Sequence, residues 1–150
     1  MSKDTPDPRR RRLSVLASAP AHRLQALWAE LGAAPDYTLI RAPEIGAAMV
    51  RGRAGVTGAA FNLGEITVTR CSVELSDGAV GHGYVQGRDK NAALIAALAD
   101  ALAESGEAAR VEAGLIAPLV AEAEAHTRDR AAKTAATKVE FFTVAREAGG

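Results

Sequence analysis

A single cysteine, six aromatic residues and the lack of any uncharged apolar run of 18 residues define what this 150-residue chain cannot be. Cys71 has no partner for an internal disulfide. It supplies no thiolate zinc site unless His22, His82 and His126 converge on it, and these show neither HxH nor HExxH spacing. No metal centre built by this chain alone is therefore expected. The charges cancel, 18 Lys and Arg against 18 Asp and Glu, so the molecule as a whole holds no general attraction for nucleic acid or anionic lipid. The first twenty residues, MSKDTPDPRRRRLSVLASAP, lack the apolar stretch of a signal peptide, and no segment reads as a membrane span. The expectation is a cytoplasmic domain with neither membrane nor nucleic acid as partner.

What the chain has in quantity is alanine, 34 residues of it. Alanine buries little area, so at about 25 cal/mol per Å² the core is thin for its length, and a partner subunit would add stability. A compositional bias toward Ala and Arg explains the same count.

The chain divides into residues 1–8, a Pro-bearing polar arm expected to be flexible, and residues 9–150, a single α+β domain. Asp7 and Pro8 form a cap-and-start pair for a helix through Leu13, Val15 and Leu16. A second helix, started by Ser18 and Pro20, carries Leu24, Leu27, Trp28 and Leu31 and stops at Gly32. From Asp36 to Gly87 alternation replaces the helical period, and we expect a mainly antiparallel sheet of about four strands near 37–43, 47–53, 64–75 and 79–86. Asp77-Gly78 is a hairpin signal between the last two. In GEITVTRCSVELSDG the apolar phase changes near Arg70, which predicts a bulge there. In the next strand Gly81 and Gly83 share a face that invites close approach by another backbone. Asp89 caps an Ala-rich helix ended by Gly106, with Leu94, Leu98 and Leu102 in one row. A further helix is expected from about Pro118 to Ala136, followed by a short strand over Val139, Phe141 and Thr143. Strands followed by helices imply the α+β class.

Candidate chemistry is sparse. GHGYVQGRDK places Gly81, Gly83 and Gly87 between a strand and a helix, as in a dinucleotide-binding turn, but an antiparallel hairpin strand lacks the parallel crossover that such a unit requires. Arg88 and Lys90 flank Asp89 at a helix start, where free N–H groups hold phosphate, although the Asp89 cap competes for the same groups. GRAGVTG, with Gly52, Gly55 and Gly58, is a basic Gly-rich loop without the P-loop spacing. Glu65 and Arg70 are a strand-borne acid and base, suited to catalysis or to an ion pair. Cys71 reads as a packed thiol. The run Arg9 to Arg12 is either a solvated charge cluster or a nucleic-acid contact, set against later helices rich in acid: Asp100, Glu104, Glu107, Glu112, Glu122 and Glu124.

Taken together, TG, F, GE, TR, V-x-L, DG, G and VQGRDK, followed by the Ala-rich helix, resemble the central block of the PhnG family, the G subunit of the bacterial carbon-phosphorus lyase machinery. RRLSVLA near the start, Leu115-Ile116-Ala117-Pro118 and VEFFTVAR agree, so the resemblance spans nearly the whole chain outside the arm. It implies an accessory subunit working with PhnH, PhnI, PhnJ and the ATP-binding-cassette subunit PhnL. With partners it would support transfer of a phosphonate such as methylphosphonate onto C1' of MgATP, releasing adenine and giving α-D-ribose 1-methylphosphonate 5-triphosphate. MgATP would be the complex's substrate, this chain alone would bind no cofactor, and catalytic residues would sit on a partner subunit. No catalytic residue is carried over. Arg70, Arg88, Asp89 and Lys90 are the expected anion or interface contacts, with Gly58, Gly78, Gly81 and Gly87 as backbone-critical positions. Two other roles remain open at this point: a direct contribution to a shared phosphate site, and a nucleic-acid or regulatory module using the basic arm.

Overall fold

The computed structural model describes the backbone of residues 7–53 and 60–149 and the side chains of 7–49 and 64–136. Its elements run α1 (Pro8–Ser18), α2 (Ala21–Leu31), β1 (Tyr37–Arg53), β2 (Ala60–Leu75), β3 (Val80–Gln86) and α3 (Lys90–Leu102). A π-helical turn (Ala103–Glu107), α4 (Ala108–Val111), a second π-helical turn (Glu112–Ile116) and α5 (Ala117–Gly149) complete the chain.

Local chemistry accounts for most boundaries. The Asp7 carboxylate accepts from the Arg9 N–H at 3.3 Å and Pro8 fills the first turn, where no N–H is required. Gly32 takes the left-handed conformation, φ 69°, and its N–H closes α2 on the Trp28 carbonyl. Gly78, at φ 90°, turns the β2–β3 hairpin, and Asp77 steadies the turn by accepting from the Ala79 N–H at 3.0 Å. The Asp89 carboxylate caps α3 through the Ala92 N–H at 2.9 Å.

The sheet is antiparallel in the order β1-β2-β3. Three strands form, not four, because 37–43 and 47–53 are one continuous strand. Pro43 lies within this strand, which is at the sheet edge, where a missing ladder donor is tolerated. The bulge expected in the strand carrying Arg70 lies across from it: β1 gains one residue between Leu39 and Arg41 and another between Arg41 and Glu44, facing Val73 to Arg70, while β2 and β3 keep one register from Val68 to Glu74. Consecutive Val68 and Thr69 are both buried, so at this point the central strand is covered on both faces.

Cys71, Val73 and Leu75 of β2 pack under α3, which is buried almost all round from Ala92 to Leu102. Leu16, Leu24, Leu27, Val111, Leu115 and Ile116 close the other side. The helical stretch resumes at Ala108 rather than near Pro118, since Gly106, at φ 98°, kinks the path and helix continues beyond it. The second π-helical turn immediately precedes Pro118, whose ring lacks the N–H that a regular ladder would use. The segment expected as a final strand is helical in backbone, as part of α5.

Candidate functional site

Where β3 meets α3, glycine sets the separation. A Cβ on Gly81 would stand 2.0 Å from the Ala97 carbonyl oxygen and 2.4 Å from the Ala101 nitrogen. One on Gly83 would lie 2.2 Å from the Ala93 oxygen. Small residues on both elements thus let helix and strand backbones touch. This places Asp100 at the outer edge of the sheet. Its carboxylate, fully buried, accepts from the His82 backbone N–H at 2.9 Å, from Arg9 Nη2 at 2.9 Å and from Arg12 Nε and Nη2 at 3.2 and 2.9 Å. Arg9 also donates to the Val80 carbonyl at 3.2 Å, and Arg12 reaches Glu104 at 2.6 Å. The hydrogen bond that Arg9 donates to Asp100 holds the Arg9 pKa above the ordinary arginine value. Side chains of α1 and α3 thus take the Val80 carbonyl and the His82 N–H of the β3 edge, two groups that would otherwise be open to another strand.

The basic run is consequently no free nucleic-acid patch. Arg9, Arg11 and Arg12 pair with Asp100, Glu112 and Glu104, and only Arg10 of the four makes no ion pair among the described residues. The sequence held a signal for this cluster: Asp100 is the lone carboxylate within KNAALIAALADAL, and a charge on an otherwise apolar helix demands buried partners.

The sequence-derived contacts fall in separate places. Arg70 stands on β2, on the face away from α3, while Arg88 and Lys90 stand beside the α3 cap, and no hydrogen bond or ion pair joins them among the described residues. Asp89 is committed on both oxygens, to the Ala92 N–H and to Gln25 Nε2 at 3.0 Å. Glu65 and Arg70 do not converge: they are five residues apart on an unbulged stretch and so point to opposite faces. Gly78 and Gly87 hold positive φ, 90° and 96°, in turns. Gly58 and most of GRAGVTG lie outside the described residues. Cys71 is buried, and burial pushes its thiol pKa up, away from nucleophilic use. His22 and His126, distant in sequence, line one groove of about 530 Å³ between the α1–α2 elbow and the start of α5, whereas His82 is on the sheet.

Some large apolar side chains are on the outside. α3 lies mainly over β3 and β2 and covers β1 less. By register Tyr37, Leu39, Ile45 and Met49 share the α3 side of the sheet, yet they are 40% to 52% exposed. Beyond Thr67 the β1–β2 pair runs on without β3 as a two-stranded ribbon. α5 is exposed at every residue from 121 to 136. Its 33 residues extend about 50 Å at 1.5 Å each. An open edge strand with an apolar strip and the exposed stretch of α5 from 121 to 136 form a surface suited to a protein partner. Among the described residues no helix is long and apolar enough to cross a membrane.

Comparison with known proteins agrees over most of the chain. The family profile described as "Phosphonate metabolism protein PhnG" matches residues 7–147. A protein of Rhizobium meliloti (strain 1021), named alpha-D-ribose 1-methylphosphonate 5-triphosphate synthase subunit PhnG, is 45% identical over 139 residues, covering 92% of this chain and 88% of its own. The close-packed Gly81 and Gly83, the Asp89 cap and the open β1 edge are thus features of a chain that belongs to the PhnG family of phosphonate metabolism proteins.

Proposed function

We propose that this chain is an accessory subunit of α-D-ribose 1-methylphosphonate 5-triphosphate synthase. The observation that carries this reading is the near-complete match to a relative named as a subunit of that enzyme. The surface supports it: Tyr37, Leu39, Ile45 and Met49 form an apolar strip of the kind that is covered in an assembly. In the finer reading, the chain joins PhnH, PhnI and PhnL, with PhnJ, in an assembly that uses MgATP as substrate. The assembly places a phosphonate on C1' with loss of adenine, the reacting groups being held by partners.

Co-expression with the neighbouring reading frames, followed by affinity capture and size measurement, tests it. The expected result is stoichiometric co-purification, with adenine released from MgATP and methylphosphonate by the assembly and not by the isolated chain. Turnover by the isolated chain, or failure to associate with any of those subunits, would overturn it. A direct role in a shared phosphate site through Arg88 and Lys90 has less support, because the Asp89 carboxylate puts a negative charge at that helix start and already takes the Ala92 N–H.

A further inference from the structure

On the side of the sheet away from α3, the register lines up side chains that are dispersed in sequence. Arg41, Ser72 and His82 stand directly opposite one another on β1, β2 and β3, and the adjacent row is Glu44, Arg70 and Tyr84. Opposed residues in a sheet have Cβ atoms about 4.5–5.5 Å apart, and alternate residues of one strand are about 7 Å apart. Ser72 is therefore the centre of a patch, with His82 on one side and Arg70 next along its own strand, while Arg41 pairs with Ser72 from between the two irregularities of β1.

The polar groups of this patch are available. Ser72 Oγ lies 2.9 Å from His82 Nδ1. If the hydroxyl donates, Nε2–H of the ring is left free; if the ring donates, the hydroxyl proton is left free. Either way the pair keeps a donor to offer. Arg41 and Arg70 make no hydrogen bond or ion pair with any described residue, although Glu44 is opposite Arg70 and Glu74 is two residues beyond Ser72. Two guanidinium groups from different strands, a hydroxyl and an imidazole around one point suit a tetrahedral oxyanion, whose oxygens diverge to meet donors from several directions.

The geometry points to a binding site for a phosphate or phosphonate group on this face, held by Arg41 and Arg70 and oriented by the Ser72–His82 pair. The group arrives either as a small free anion or as part of a polyphosphate chain. The site belongs to the chain itself and does not depend on the subunit reading.

The test uses the full chain, with inorganic phosphate, methylphosphonate and tripolyphosphate as probes, read by calorimetry and by the ring resonances of His82. Phosphate and methylphosphonate are expected to shift the His82 signals saturably. The double variant Arg41→Ala/Arg70→Ala is expected to weaken binding on the order of tenfold or more. Both arginines are exposed, so circular dichroism should show the fold intact. Glu44→Gln removes a like charge from the rim and should tighten binding. Tripolyphosphate binding far above phosphate identifies a polyphosphate chain as the source, and equal binding identifies a single phosphoryl or phosphonyl group. No saturable shift of His82 up to about 20 mM phosphate, well past weak specific binding, overturns the assignment. So does affinity unchanged in the arginine double variant, or unimproved in Glu44→Gln.

Discussion

At the contact of α3 with β3, glycine and alanine bring two backbones together, and nothing larger than Gly fits at positions 81 and 83. Along β1, two strands over on the same side of the sheet, Tyr37, Leu39, Ile45 and Met49 are about half exposed. The chain thus uses its smallest residues where helix and strand meet and leaves a strip of large apolar side chains about half exposed. Its body is held by the aliphatic core around Leu16, Leu24, Leu115 and Ile116 together with close backbone approach and buried charge. The apolar strip of β1 is left for a second surface to cover.

The comparison can be broken at the body first. Asp100→Ala would leave Arg12 buried without its main counter-charge and free the His82 N–H. We expect a loss of about 3–5 kcal/mol in urea denaturation, enough to unfold much of the isolated chain. Gly81→Ala should cost about 1–3 kcal/mol or more, because the added carbon meets backbone and not a movable side chain. Gly46→Ala, with nothing within 4 Å of the new carbon, should stay within about 0.5 kcal/mol. Equal effects at Gly81 and Gly46 would show that close approach is not what holds the body.

The open side predicts the reverse pattern. Ile45→Ser with Met49→Ser should change the stability of the isolated chain by no more than about 0.5 kcal/mol while sharply reducing co-purification with partner subunits. The smallest effect is expected at the β2–β3 turn. Hydrogen bonds from Ser105 and from the Ala79 N–H hold the Asp77 carboxyl below the ordinary aspartate pKa. A depressed folded-state pKa stabilises above the unfolded value and loses that contribution as pH falls through the folded one. Asp77→Asn should therefore be slightly less stable than the parent at pH 7, and the two urea midpoints should converge in acid. A difference that persists at low pH would assign the effect to turn geometry instead of charge.

Short-range chemistry carried much of the fold. The Asp7 and Asp89 caps, the Gly32 stop and the Asp77-Gly78 hairpin were legible because each depends on residues within a few positions of one another. The glycine face of β3 was legible as well, since strand alternation alone separates Gly81 and Gly83 from His82 and Tyr84. The strand count was not: the gap expected between 37–43 and 47–53 is bridged by pairing with β2, a long-range contact. The tail residues Val139, Phe141 and Thr143 alternate as in a strand, yet the helix begun at Ala117 continues through them in backbone.

Sequence by itself determined the α+β class, the family and the identity of the cap and turn residues, because periodicity and capping are local properties of the chain. Tertiary structure decided which charges meet. Arg9 and Arg12 are about ninety positions from Asp100, and Arg41, Ser72 and His82 come from three strands. Cross-strand register and helix docking select such pairs through long-range packing, for which no local spacing rule exists.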